Sequence, residues 1–126
     1  MPLYQSIADI LSENWQDKHA ALSRTKQIIG ALDGLGRELS ATVFLDPEFS
    51  EQQAKKLGDA DTALPLYGVP LAHKELYGRC DEHAIWPNEG GSKSCKGQMA
   101  EQTATTIAQL DQAGAIDCGR LVSVEY

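Results

Sequence analysis

The sequence predicts an α/β fold, and two observations carry the prediction. Residues 4–39 repeat apolar side chains at helical spacing, and residues 63–126 pass in turn through strand-like, loop-like, helix-like and again strand-like stretches. The composition changes character between the two, so residues 1–62 are read as an N-terminal helical region and residues 63–126 as the start of an α/β core.

In the first region Ile7, Ile10 and Leu11, then Leu22, Ile28, Ile29 and Leu32, fall between polar positions and predict two helices. Asp33, Gly34 and Gly36 supply stop chemistry for the second. ATVFLD reads as a short extended segment, and SEQQ, from Ser50, begins a shorter helix reaching Leu57 and Gly58. In the second region LPLYGVPLAHK suits a turn feeding a strand that ends near Lys74. Residues 78–97 are rich in Gly, Ser, Asn, Pro and charge and read as a long irregular loop, a length that is uncommon unless the loop is functional or disordered. Residues 101–113 place Ile107 and Leu110 on one face of a helix stopped at Gly114, and AIDCG then reads as a buried strand.

The 126 residues suffice for one small domain, with 42% apolar and 23% charged residues as in ordinary soluble proteins. A net charge of −7 argues against nucleic acid as a partner, because neutralising phosphates needs a clustered basic face. No apolar run is long enough to span a bilayer, and the acidic start MPLYQSIADILSENW is unlike a secretory leader, so no membrane association is expected and the chain is read as cytoplasmic. Cys80, Cys95 and Cys118 are an odd number without framework spacing, which favours reduced thiols.

Three segments in order resemble the amidase-signature family. ATVFLDPEFSEQQAKKLGDADT is similar to the family's stretch leading through an Ala- and Asp-rich helix. LPLYGVPLAHKELYG resembles its Pro-Leu-x-Gly-(Ile/Val)-Pro run ending in a lysine and an acidic residue. TATTIAQLDQAGAIDCGRLVSVEY resembles the helix, Ala-Gly-Ala turn and strand that lead into Gly-(Lys/Arg)-x-x-x-x-Glu-(Phe/Tyr), here Gly119, Arg120, Glu125 and Tyr126. The likeness covers residues 22–126. Two departures stand out: Glu75 replaces the usual aspartate, and the following loop is longer and lacks the paired threonines before the Gly-Ser matched to Gly91 and Ser92.

The resemblance implies an N-terminal portion of a Ser-cisSer-Lys amidohydrolase: helices, then the first strands and helix of a larger mixed sheet, ending before the serine motif. It implies hydrolysis of a carboxamide C–N bond through a serine acyl-enzyme, with Lys74 as catalytic base, a small-molecule amide as substrate and no cofactor. A lysine acts as a base only when neutral, which burial promotes, and Leu71, Ala72 and Leu76 are candidates for part of an apolar surround. Without the serines there is nothing to activate, so the chain alone is expected to be inactive, and an incomplete sheet invites self-association or a complementing chain.

Other chemistry-bearing residues receive plainer readings. Glu75 orients the backbone or pairs locally, and His73 lies on the opposite strand face from Lys74. Ser92 and Ser94, in GGSKSCKG, fall on the wrong side of the Glu-Tyr segment for a nucleophile and read as a flexible tether. His73, Cys80, His83 and Cys95 contain one tight Cys-x-x-His pair where structural zinc sites show two, so no metal is expected and a zinc-stapled small domain stands only as a third option. Cys118 reads as a small core residue, and Trp15 and Trp86 as packing residues. The alternative to an enzyme is an interaction module whose N-terminal helices form a partner surface, a reading that gains if the chain's own strands bury those helices.

Overall fold

The computed structural model describes residues 5–59 and 62–124. Glu125 and Tyr126, the end of the third family-like segment, lie outside the described residues.

Helix α1 (Ile7–Gln16) starts at a reciprocal cap: Ser6 accepts from the Asp9 backbone N–H, and the Asp9 side chain accepts from that of Ser6. Helix α2 (Ala20–Asp33) ends at Gly34 and is followed by a one-turn helix, α3 (Leu35–Glu38), which the stop signals do not predict. Strand β1 (Thr42–Phe44) follows, anchored where the Thr42 hydroxyl donates to the Leu32 carbonyl at 2.7 Å. Helix α4 (Pro47–Lys56) begins three residues before the expected Ser50, because Asp46 caps it at the Phe49 N–H and Pro47 occupies the first helical position. Ser50 instead donates from its hydroxyl to the Asp117 carbonyl at 2.7 Å.

Strand β2 (Pro70–Lys74) ends at the lysine as expected. Helix α5 (Thr105–Gln112) starts later than residue 101, since Thr103 is engaged elsewhere: its hydroxyl accepts from the Cys80 N–H and donates to the Cys80 carbonyl, both at 3.0 Å. Strand β3 (Ile116–Leu121) runs through the centre of a three-stranded mixed sheet of order β1-β3-β2, antiparallel to β1 and parallel to β2.

Helices α2 and α4 pack on this sheet. Ile29, Ala54 and Leu57 from the helical side meet Tyr67, Ile116 and Cys118, with Leu11, Leu22, Leu32 and Leu64 closing the edges. The two regions therefore share one core. Their junction is the YGVP stretch: the Tyr67 hydroxyl donates to the Leu57 carbonyl, while the buried Asn14 side chain of α1 donates to the Tyr67 carbonyl at 2.7 Å. Gly68 sits at φ +74°, where a Cβ would stand 2.5 Å from Asn14 Nδ2 and 2.9 Å from Ala21 Cβ, so glycine alone allows this approach. Trp86 is buried, whereas Trp15 is 56% exposed and uses its indole N–H to hold the Thr62 carbonyl, so the packing expectation fails for Trp15. No helix among the described residues is long and apolar enough to cross a membrane.

Candidate functional site

Lys74 stands exposed at the end of β2, the first residue of a β-turn closed by the Tyr77 N–H on the Lys74 carbonyl at 3.1 Å. Leu71 and Ala72 are half-buried and Leu76 is exposed, so these three candidates for part of an apolar surround leave Lys74 open to solvent among the described residues. Among the described residues no hydrogen bond or ion pair reaches the Lys74 ammonium. The turn beneath it is tied to the protein. The Glu75 N–H continues the ladder onto the Leu121 carbonyl at 3.0 Å, and the buried Glu75 carboxylate accepts from the Glu89 N–H at 3.3 Å. Glu75 thus orients the backbone, as its position suggests. His73 is half-buried with its ring edge-on to Tyr77; burial holds its pKa below the ordinary 6.5 against an upward pull from Asp117, and the charges of Arg120 and Arg79 add to the lowering.

The loop after the turn is more structured than its composition indicates. Pairing of Pro87 with Met99 and of Cys80 with Ile85 folds it back on itself, and Ser92 is buried at the start of a 3-10 turn (Lys93–Cys95), with its hydroxyl 2.7 Å from that of Ser94. Within GGSKSCKG only Gly90 and Ser92 are buried, while Gly91, Lys93, Ser94, Lys96 and Gly97 are exposed; the stretch touches the protein closely at Gly91, where a Cβ would stand 2.4 Å from the Ser123 carbonyl oxygen, closer than any side chain tolerates. Among the described residues no three His, Cys, Asp or Glu side chains gather as a metal would need.

Sequence reasoning missed the charged cluster under this loop. Arg79, 1% exposed, donates to Asp117 Oδ2 from both Nε (3.1 Å) and Nη2 (3.0 Å), and also reaches Asp81 and Asp111. Burial opposes its charge, but bonds to Asp111 and Asp117 more than compensate and hold the guanidinium protonated. Arg120, equally buried, donates from Nη1 to Asp117 Oδ1 at 2.7 Å and from Nε to the Tyr77 carbonyl at 2.7 Å. Trp86 lies against both guanidiniums, 5.3 Å from Arg79 and 4.7 Å from Arg120, and anchors its indole N–H on Asp46 at 3.0 Å.

Strict alternation along β3 would put Asp117 and Arg120 on opposite faces. A register shift prevents this: Leu71 and His73 of β2 oppose Asp117 and Arg120, two steps against three, so β3 holds an extra residue and Arg120 returns to the face of Asp117. Gly119, at φ +134°, accommodates the kink, and a Cβ there would stand 2.5 Å from the Phe44 carbonyl. The signal available in the sequence was Asp117 itself, a charge inside an otherwise apolar strand with an arginine three residues on.

Similar sequences and similar solved structures point to one family. No family model matches the chain. Over 91 residues it is 34% identical to a glutamyl-tRNA(Gln) amidotransferase subunit from Bordetella bronchiseptica, a match covering 70% of this chain and 17% of that protein. Its fold superimposes on the peptide amidase of Stenotrophomonas maltophilia with a TM-score of 0.71 and 25% identity, over 94% of this chain and 25% of that one. A bacterial aryl acylamidase of the amidase-signature family gives a TM-score of 0.68 at 18% identity, again over 94% of this chain and 25% of the other. The chain thus spans about a quarter or less of the proteins it matches. With an amidotransferase polypeptide sharing a third of the matched residues and amidases sharing the fold along nearly the whole chain, this protein belongs to the amidase-signature family and corresponds to a part of its larger fold.

Proposed function

We propose that the chain contributes the lysine of an amidase-family hydrolase, which cleaves carboxamide C–N bonds through a serine acyl-enzyme with Lys74 as base. In this reading a neutral Lys74 takes the proton of a serine relay, the serine oxygen attacks the amide carbonyl, the amine leaves with a proton, and water releases the acid. The serines come from polypeptide outside these residues, and the isolated chain is inactive. The observation that carries the reading is the placement of Lys74: on a fixed turn at a strand end, exposed, and with an ammonium that no described residue occupies. Exposed Leu76, Tyr77 and Val122 surround that strand end and suit coverage by a complementing polypeptide, which would also desolvate the lysine. The substrate is a small-molecule amide and the setting cytoplasmic.

The test is to mix the chain with a related amidase from which the matching portion has been deleted, and to follow ammonia release from a simple carboxamide. Turnover is expected only in the mixture, and Lys74→Ala should lower it by about a hundredfold or more. Turnover by the purified chain alone, lost on Lys74→Ala, would refute the division of labour, and turnover in the mixture indifferent to that substitution would refute the role of Lys74.

One observation favours the second reading, a non-enzymatic interaction module. Of the N-terminal helices, α2 buries Ile29 against the chain's own Tyr67, Ile116 and Cys118, with Leu22, Ile28 and Leu32 packed alongside, while α1 leaves Ile7 and Trp15 exposed. Failure of the chain to bind or activate any deleted amidase, with stable monomeric folding, would favour this module.

A further inference from the structure

We propose that Arg120 is the positioning residue of the Lys74 turn, fixing from beneath the direction in which Lys74 leaves the sheet. The inference rests on the proposed role of Lys74 and adds to it the group that sets its geometry.

The turn over residues 74–77 gains little from packing, since Leu76 and Tyr77 expose their side chains. Hydrogen bonds must hold it. The backbone supplies the Tyr77 bond to the Lys74 carbonyl and the Glu75 bond to Leu121, and Glu75 ties one side chain inward. The remaining tie is the 2.7 Å bond from Arg120 Nε to the Tyr77 carbonyl, whose charged donor makes it stronger than a neutral one. That donor cannot wander: Arg120 is 1% exposed, lies on the Trp86 ring, and is held at Nη1 by Asp117 and by the Gly119 carbonyl. Arg120 also opposes His73 across the sheet while its neighbour Leu121 opposes Lys74, so the clamp and the lysine share adjacent rungs of one ladder.

The chemistry requires arginine. Nε and Nη1 point from one rigid plane to two acceptors, the Tyr77 carbonyl and the Asp117 carboxylate, whereas a lysine ammonium is a single point on a flexible stem. The family-like motif allows either residue at this position, but the surroundings of this chain, with Trp86 and Asp117, make the exchange non-conservative here.

Amide hydrogen exchange on the full 126-residue chain tests this, comparing wild type with Arg120→Lys. Exchange at Glu75 and Tyr77 should quicken by about tenfold while α2 and α4 amides keep their wild-type protection. Unchanged exchange at both turn amides, or a uniform rise across the chain, would overturn the proposal. Should Arg120→Lys fail to fold, the wild-type chain decides: a slowly exchanging Arg120 Nε–H with a measurable coupling across the hydrogen bond to the Tyr77 carbonyl supports the clamp, and a fast-exchanging one refutes it. Neither result depends on whether Lys74 is a base, which the mixing experiment reads separately.

Discussion

Arg79 and Arg120 share the single carboxylate of Asp117, Arg79 on Oδ2 at 3.0 Å and Arg120 on Oδ1 at 2.7 Å, with all three side chains buried. Two positive charges on one negative group are tolerable only because Arg79 also reaches Asp81 and Asp111 at the protein surface. Among the described residues Arg120 has no second carboxylate, and its buried Nη2 has no partner.

Removal of the shared charge should therefore be costly. Asp117→Asn is expected to lower stability by about 3–5 kcal/mol, the usual cost of leaving a buried ion without its counter-charge. Asp81→Ala, at a partly exposed rim position, should cost about 1 kcal/mol or less. Urea unfolding of the two variants separates them, and equal losses would mean that the cluster is wetter than its burial indicates.

How much of this is legible in the sequence depends on the range of the interaction. The buried strand β3 and the end of β2 at Lys74 are readable because apolar runs and prolines act over a few residues. The start of α4 falls three residues before Ser50 because Asp46 and Pro47, which look like the tail of an extended segment, act as a cap and a first helical residue. Arg79 is hidden in a stretch of loop composition, since ion pairs spanning 38 residues, as from Arg79 to Asp117, leave no local period, whereas the packing of Trp86 is readable from its residue type. The proposed role of Lys74 enters through family resemblance; its residue type and spacing alone describe an exposed lysine at a strand end.

Glycine substitutions should have opposite signs at two positions. Gly68→Ala forces a Cβ onto Asn14 and Ala21 at a positive φ and should destabilise by about 2 kcal/mol or more. Gly30→Ala, on the exposed side of α2 with nothing within 4 Å of the new Cβ, should stabilise by up to about 1 kcal/mol. Thermal melts measured side by side check both, and a destabilised Gly30→Ala would show that α2 is not helical there.

Cys118 is fully buried, and burial, aided by the neighbouring Asp117 charge, pushes its thiol up to about 12. Since the thiolate is the reactive form, alkylation at neutral pH should modify Cys80 and Cys95, which are partly exposed, while Cys118 reacts only through unfolding. Mass spectrometry after a timed pulse of iodoacetamide gives the order. Early labelling of Cys118 would contradict a closed core beneath β3.

The pH dependence of stability should carry a contribution from His73. Its pKa in the fold lies below the ordinary 6.5, with burial the leading cause, so the unfolded chain takes up a proton first as pH falls. The stabilising contribution is therefore fully present above 6.5 and is lost as pH drops through the lower, folded value. Asp81 adds a second loss at more acid pH: burial works against its charge, but the His83 and Ala84 N–H groups and the Arg79 guanidinium together outweigh it and hold its pKa below 3.8. The two are separable because their windows differ. Replacing His73 with Gln should flatten the fall in Tm between pH 7 and pH 5, at about the ordinary histidine range, while leaving the steeper loss below pH 4 in place. A variant that melts with the same pH profile as wild type across the upper window would mean that His73 titrates alike in both states, and that its half-burial under the Lys74 turn does not persist in solution.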